Sequence, residues 1–375
     1  MRRISSVDIV RGLVMVIMAL DHTRDFFHES SLTANPTDLL QTYPALFYTR
    51  FITHFCAPTF VFLSGVSAWL SFRRTGNTAS FRKHLLIRGL WLMVLDFTLI
   101  NFGLWFDIHF NLLLFNVLST IGFGFICLSL LLKAGTRILG GLGLVLVFLS
   151  PLVPLHPAIA PFFSPVVLPL GGERVFIMGY PPVQWLGIML AGFGTGPLFV
   201  QENRKDLFLK TGLVTLVSFL VLRWGNVYVD TAPWQVQKSL SYTLMSFLNV
   251  SKYPPSPAFA MLTLGTMFLL LGWTERINTR LSRALEVYGR VPLFYFIVHW
   301  YILHLILFTL LVISGYTPLD FVFGSNFGRP SAWKGLPLAG VYGVWTILVV
   351  IMYPLCQWYG SYKTRHKDKI WLRYL

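Results

Sequence analysis

Two carboxylates, a histidine and an arginine stand together at the end of the first apolar segment, in the run Asp21-His22-Thr23-Arg24-Asp25. Ionisable side chains at membrane depth cost roughly 2.5 kcal/mol or more each on insertion scales, so they usually mark a functional site. Because His22 and Asp25 are three residues apart, a helix places them on one face. A carboxylate beside an imidazole fixes its tautomer and raises its basicity, as general-base catalysis requires. We therefore predict that His22 is the chemical centre, with Asp21 and Asp25 beside it.

The same cluster has two other interpretations. Charged side chains at the end of a membrane helix can reach the headgroup water, in which case they would only anchor the helix. A metal site is the other interpretation, with His22, Asp25, His28 and Glu29 as ligands. Their spacing is less regular than in helical motifs whose two histidine ligands lie at i and i+4, so we predict no metal.

The composition identifies the class of protein that contains this cluster. The 375 residues are 55% hydrophobic and only 12% charged, with a mean hydropathy of +0.64. A soluble domain carries about twice that charge, so a soluble protein is excluded. Since about 20 apolar residues span the hydrocarbon, we predict an all-α, polytopic membrane helix bundle in one domain, 1–375. Its ten helices are expected at 7–27, 46–72, 84–104, 110–132, 136–155, 184–201, 207–224, 257–274, 291–314 and 337–360.

The net charge of +15 is a topology signal, not a nucleic-acid signal. With a cytoplasmic N-terminus and alternating segments, only eight of the 30 lysines and arginines fall on or near the outside: Arg24, Arg50, Arg174, Arg223, Lys238, Lys252, Arg329 and Lys334. Such a cationic bias sets orientation, so both termini are predicted to be cytoplasmic, with the basic tail 361–375 beside anionic lipid. We expect no nucleic-acid partner. The first apolar run lacks a small-residue cleavage site, which predicts a retained anchor.

Further polar residues lie inside or between the predicted helices. Arg11 follows Asp8 by three residues and can pair with it, or it can meet an anionic cytosolic cofactor. Pro58 should kink the second helix, and small residues near Ser64 would admit a close neighbour or a thin ligand. A lone membrane histidine more often bonds between helices than catalyses; this applies to His299 and His304. The outer connections, about 28–45, 156–183, 225–256 and 315–336, are long enough to roof a site.

Motifs in order along the chain resemble the heparan-alpha-glucosaminide N-acetyltransferase family. They are Ser6-Val7-Asp8-Ile9-Val10-Arg11-Gly12, the segment from Pro58 to Gly65, Lys252-Tyr253-Pro254-Pro255-Ser256-Pro257 and Gly289-Arg290-Val291-Pro292-Leu293-Phe294. In the family an asparagine ends the equivalent of the first helix, and an active-site histidine follows in the next loop. Here Asp21-His22 stands at the asparagine position, and His28 is the nearest match to the loop histidine. Related polysaccharide O-acyltransferases carry a histidine at the end of this helix, so we take His22 as the base and His28 as the second candidate.

The resemblance implies a membrane acetyltransferase that takes acetyl-CoA from the cytosol and acetylates an amino sugar or glycan hydroxyl on the other side. A basic mouth near Arg11, Arg88 or Arg290 would hold the nucleotide. The pantetheine arm would then reach His22, which lies about 22 Å beyond Val7 along the helix. Further predicted donor-site residues are Arg50, His54, Ser64, Lys252, Tyr253 and His299. The resemblance also implies a homodimer, and we expect a bacterial inner-membrane location.

The alternative function is a proton-coupled secondary transporter. Asp21, Asp25, Asp96 and the histidines would then form a proton relay through the membrane. Inverted repeats would favour transport, and the sequence shows no internal repeat.

Overall fold

The computed structural model describes residues 3–153, 156–366, 368–369 and 372. All ten predicted segments are helical over most of their length, which confirms the all-α helix bundle. They form α1 (Ser5–Phe27), α2 (Pro44–Thr53) with α3 (Cys56–Thr75), α4 (Thr78–Leu95) with α5 (Asn101–Trp105), α6 (Val117–Leu131), α7 (Thr136–Leu149), α9 (Pro182–Thr195), α10 (Arg204–Trp224), α12 (Pro257–Thr274), α14 (Pro292–Ile313) and α15 (Leu338–Arg365).

Eight of these segments are long and apolar enough to cross a membrane. The other two are α1, which has charged residues near both of its ends, and α7, which is shorter. The connections hold α8 (Ala160–Phe163), α11 (Leu240–Leu248), α13 (Arg280–Gly289) and a small sheet. Its strands β1 (Leu112–Phe115), β2 (Val166–Gly171) and β3 (Arg174–Met178) have the order β1-β3-β2, with β1 parallel and β2 antiparallel to β3.

Two predicted helices differ from expectation for local reasons. The second segment breaks between Thr53 and Cys56. Pro58 lies in the first turn of α3 and has no N–H to donate to the carbonyl of His54, so the break falls just before the proline. The predicted start of the fourth segment at residue 110 is wrong, because 112–115 form β1 and the helix begins at Val117.

Polar side chains of the neighbouring segment explain why residues 112–115 are not helical. A π-helical turn, Asp96–Ile100, separates α4 from α5. The Asp96 carboxylate accepts hydrogen bonds from the backbone N–H groups of Asn116 (3.1 Å) and Ser119 (2.8 Å), so it caps the start of α6. The Asn101 amide bonds both backbone groups of Leu114, at 3.0 and 2.7 Å, and thereby takes the place of a strand partner. These side chains satisfy backbone groups that would otherwise be costly to bury.

The start of α1 packs tightly against α13. We call this end of the bundle, which carries Arg3, Arg204 and Arg290, the basic end. Ser5 and Ser6 donate hydrogen bonds to Glu286 and Glu275, and Glu275 also pairs with Arg204. The two helices approach so closely that a Cβ atom on Gly12 would overlap the carbonyl oxygen of Leu285. A Cβ on Gly289 would likewise overlap the carbonyl oxygen of Asp8. Because α13 leads directly into α14, this contact positions α14 against α1.

We expect Gly289→Ala to lower the free energy of unfolding by about 2–3 kcal/mol, because the added methyl group must push two backbones apart. Gly141→Ala is the matched control, since a Cβ there would meet nothing within 4 Å. Thermal unfolding of the purified variants in one detergent checks the difference. Equal stability of the two variants would contradict the close contact between α1 and α13.

Candidate active site

A cavity of about 350 Å³ runs inside the bundle between α1, α3, α4 and α6. The basic side chains of Arg11 and Arg88 line it near the basic end, and His22 and Lys252 line it at the opposite end. Arg11 and His22 lie on the same helix, so the two ends of this donor cavity, as we call it, are about 16 Å apart along α1. The cavity therefore connects basic groups near one end of the bundle with an imidazole near the other.

Two imidazoles meet at the end of the donor cavity that lies opposite Arg11. Nδ1 of His22 lies 2.7 Å from Nε2 of His299, which comes from α14 and is completely buried. Nδ1 of His299 lies 3.0 Å from the carbonyl oxygen of Tyr295, which can only accept, so this nitrogen carries the proton. Nε2 of His299 must then accept from Nδ1–H of His22. The remaining nitrogen of His22, Nε2, thus keeps its lone pair and makes no hydrogen bond to the described residues.

An indole ring packs on the face of the catalytic candidate. The rings of Trp300 and His22 are stacked, with centroids 4.0 Å apart and 21° between their planes. An aromatic face attracts a cation, so this stack stabilises an imidazolium when His22 takes up a proton. From α14, His22 is consequently held by the hydrogen bond to His299, the ring stack of Trp300 and an edge contact from Phe296, whose ring centroid lies 6.4 Å away.

The carboxylates beside His22 pair with arginines and not with the imidazole. Asp25 accepts from Arg24 at 2.5 Å, and Asp21 pairs with Arg24 at 3.0 Å through one oxygen and with Arg50 through the other. The prediction that Asp25 fixes the tautomer of His22 is therefore wrong, because the carboxylate pairs with the oppositely charged Arg24 and Nδ1 of His22 bonds to His299. Asp21 lines the donor cavity beside His22, whereas Asp25 lines neither that cavity nor its neighbour.

A second cavity of about 420 Å³ lies at the opposite end from the basic end. The loops of 28–43 and 225–256 enclose it together with α2, and most of its lining side chains are polar: Asn35, Thr37, Arg50, His54, Thr231, Asn249, Ser251, Lys252 and Tyr253. Arg223, at the end of α10, supports this loop by donating to four backbone carbonyls, those of Ala232, Ser246, Phe247 and Asn249. Lys252 lines both cavities. We call the second one the polar cavity.

Residues 3–226 match the model of the heparan-alpha-glucosaminide N-acetyltransferase catalytic family, which is more than half of the chain. The chain belongs to this family. It is thus an integral membrane enzyme of the acetyltransferase type, and the resemblance inferred from its motifs is confirmed. Comparison with curated proteins found none that matches the chain.

The family match divides the site. It covers α1 to α10, and so includes His22 and the two arginines of the donor cavity, Arg11 and Arg88. Lys252 and His299 lie beyond residue 226, and nevertheless contact or face the matched part. Two of the residues that complete the site are therefore supplied by the final third of the chain.

The predicted donor-site residues separate into two groups. Arg11, Ser64 and Lys252 line the donor cavity, and Arg11 donates to Ser67 at 2.5 Å and to the Leu63 carbonyl oxygen at 3.0 Å. Of the two alternatives for Arg11, the pair with Asp8 does not form, because Asp8 pairs with Arg3. Arg50, His54 and Tyr253 line the polar cavity only. The cavities therefore favour a place for these three residues in the polar cavity over the predicted place in the donor site.

Three further predicted residues lie away from the donor cavity. Arg290 is half-exposed and pairs with Glu286 at 2.5 Å, so it does not line the donor cavity. His28 is buried beneath the loop that follows α1, and its Nδ1 contacts Ser30 at 3.0 Å. Burial lowers the pKa of His28. His299 lies behind His22 as an interhelical hydrogen-bonding partner, the role that the sequence left open.

In the described part of the chain no group of three or more His, Cys, Asp or Glu side chains could hold a metal ion.

Sequence reasoning missed Trp300 and Tyr180. Trp300 directly follows His299, and an aromatic residue in an aromatic-rich helix gives no distinguishing signal. Tyr180 lines the donor cavity from the connection before α9, and its hydroxyl accepts from that of Tyr253 at 3.2 Å. Burial raises the pKa of Tyr180 well above its usual value, and the neighbouring Tyr253 raises it further. The hydrogen bond thus joins a lining residue of the donor cavity to a lining residue of the polar cavity.

Proposed function

We propose that the protein transfers an acetyl group from cytosolic acetyl-CoA to an amino or hydroxyl group of a sugar or glycan on the opposite side of a bacterial inner membrane. His22 is the general base and His299 holds its tautomer. The observation that carries this proposal is the imidazole pair at the end of the donor cavity, where Nε2 of His22 forms no hydrogen bond with any residue that the structure describes.

The donor cavity suits a long, thin, anionic molecule that enters from the basic end. Arg11 and Arg88 offer cations for the phosphates of CoA, and the lining between them and His22 is largely apolar. A pantetheine arm spans roughly the ~16 Å from Arg11 to His22. The basic end carries the cationic bias expected of a cytoplasmic face, which supports a cytosolic donor.

The polar cavity suits the acceptor. Its amide, hydroxyl and cationic side chains can hydrogen-bond sugar hydroxyl groups, and it lies at the end of the bundle opposite the donor entrance. Ligand sites of this kind combine a preformed pocket with a few polar groups that fix orientation. Donor and acceptor would then approach each other from opposite ends and meet near His22 and Lys252.

The reaction follows from these positions. Nε2 of His22 takes the proton from the acceptor N–H or O–H while that nitrogen or oxygen attacks the thioester carbonyl carbon. The bond between carbon and sulfur then breaks, and the leaving CoA thiolate takes the proton from the imidazolium. The products are acetylated acceptor and CoA, and His22 returns to its starting state with the proton of Nδ1 still shared with His299.

The transporter alternative has less support. Asp96 is engaged in capping α6 and lines neither cavity, and Asp25 pairs with Arg24. The proposed relay therefore lacks two of its three carboxylates along the donor cavity.

The decisive experiment is incubation of the purified full chain with acetyl-CoA labelled in its acetyl group and a panel of amino sugars and glycans. We expect a labelled sugar product and free CoA. Absence of both CoA binding and any labelled product would overturn the proposal. Sidedness is tested in sealed vesicles: inside-out vesicles given external acetyl-CoA should transfer acetyl, and right-side-out vesicles should not.

Arg11→Gln is expected to raise the KM for acetyl-CoA about tenfold or more, since a hydrogen bond to a charged phosphate contributes on the order of 1.5–3 kcal/mol. Its kcat should change little, because Arg11 lies far from the reacting atoms. The matched control is Arg290→Gln, an arginine at the basic end that does not line the donor cavity. If only the control variant raises KM, the nucleotide binds outside this cavity.

A further inference from the structure

Lys252 occupies a position that the donor role assigned from sequence does not explain. It lines both the donor cavity and the polar cavity, whereas Arg50 and Tyr253 line only the polar one, and His22 lines only the donor one. A side chain shared by both cavities lies where donor and acceptor must meet. The CoA phosphates would lie at the other end, near Arg11.

Lys252 is a largely buried residue whose ammonium group has no carboxylate counter-ion in the described part of the chain. The residue is 8% exposed, and among the described carboxylates none forms an ion pair with it. Asp21, the acid of the cluster that lines the donor cavity, forms its ion pairs with Arg24 and Arg50, although its Oδ1 accepts no hydrogen bond within the described residues. The Lys252 ammonium lies 5.0 Å from the centre of the Tyr253 ring. A cation that lines both cavities without a carboxylate partner can stabilise an anion that forms beside it.

The backbone around Lys252 is held firmly. Asp230 accepts hydrogen bonds from the Ser251 backbone N–H at 3.0 Å and from the Ser256 hydroxyl at 2.6 Å, on either side of the lysine. Ser256 in turn accepts from the backbone N–H of Phe259 and so caps α12. The turn that contains Lys252 is thereby fixed to the start of a membrane helix.

We propose that Lys252 is a catalytic residue that stabilises the oxyanion formed at the thioester carbonyl during acetyl transfer. This inference rests on the proposed function. As the acceptor atom bonds to the carbonyl carbon, the π electron pair moves to the oxygen, and the resulting negative charge lies against the Lys252 ammonium. When the pair returns, the carbon–sulfur bond breaks and CoA leaves as the thiolate. Donors aimed at a developing oxyanion commonly contribute a hundred- to a thousand-fold in kcat.

The test uses the purified full chain with acetyl-CoA and an acceptor that the wild type acetylates. Lys252→Met should lower kcat about a hundred-fold or more, with the KM for acetyl-CoA and the affinity for CoA close to wild type. Lys238→Met is the matched control, because Lys238 is an exposed lysine that also lies over a tyrosine ring, 4.0 Å from its centre, and lines neither cavity. In Lys252→Ala, added propylammonium should restore a large part of kcat by occupying the vacated space.

The kcat and the KM of the Lys252 variants together decide whether Lys252 stabilises the oxyanion. A Lys252→Met variant with unchanged kcat and a raised KM would overturn the proposal and leave Lys252 as a donor-binding residue. Unchanged activity in both respects would also overturn it. Should Lys252→Met fail to fold, as judged by loss of CoA binding, the amine dependence of Lys252→Ala decides in its place, and activity that does not respond to amine contradicts the role. A wild type that transfers no acetyl group overturns the proposed function itself, a separate and earlier outcome.

Discussion

The variant His22→Gln is expected to lose acetyl transfer by about a hundred- to ten-thousand-fold in kcat, because the amide cannot take up the proton of the acceptor. The side chains are similar in size, so the donor cavity keeps its shape and CoA should bind as tightly as to wild type. Steady-state kcat with labelled acetyl-CoA and calorimetric binding of CoA measure the two quantities separately. A variant that binds CoA and retains most of its kcat would show that His22 is not the base.

His28→Gln is the matched control for this experiment. His28 is the histidine nearest to the family's loop histidine, but it lies outside both cavities with its ring against Ser30. We expect this variant to keep most of its activity. The opposite pattern, with His28→Gln inactive and His22→Gln active, would assign the base to the loop.

The second large effect is expected from His299. In His299→Leu, Nδ1–H of His22 loses its acceptor, so the imidazole can rotate or take the other tautomer and present an N–H where a lone pair is needed. Loss of the residue that holds a catalytic imidazole commonly costs a hundred-fold or more in kcat. His299→Gln retains an oxygen that can accept from Nδ1–H and should recover part of the activity. The KM for acetyl-CoA should stay close to wild type in both variants.

His304 supplies the control for burial in the same helix. Its Nδ1 also faces a carbonyl oxygen four residues earlier, that of Trp300 at 3.2 Å, but its ring stacks on Phe106, 4.4 Å between centroids. It lines neither cavity. A loss of kcat in His304→Leu as large as in His299→Leu, without rescue by His299→Gln, would mean that His299 serves only packing.

The part of the site that follows local rules was predictable. A long apolar run that ends in charged residues identifies α1 and the depth of His22, because helix rise converts sequence distance into depth. Pro58 indicated the break before α3, since a missing N–H acts within one turn. The same helix rise places Arg11 toward the opposite end of α1 from His22, and both residues line the same cavity.

The partner of His22 was not predictable, because His299 is 277 residues away and only tertiary packing brings it there. Helical periodicity correctly puts Asp25 near the His22 face, yet it cannot say that Arg24 will take the carboxylate. The Asp21–Arg50 pair, 29 residues apart, has the same origin. Arg290 illustrates the converse: a basic residue in a family-like motif points to Glu286 and not into the cavity, which depends on a side-chain direction that no motif encodes.

The packing of α1 has a mechanical consequence. Its backbone is locked to α13 at the basic end, whereas near its other end the contact with α14 is made through the side chains of His22, His299 and Trp300. The backbones of α1 and α13 are therefore in close contact at the basic end, whereas near His22 the spacing between α1 and α14 depends on these side chains. Helices adjust their tilt to the thickness of the surrounding lipid. Turnover in reconstituted bilayers should therefore vary with acyl-chain length even where affinity for CoA does not.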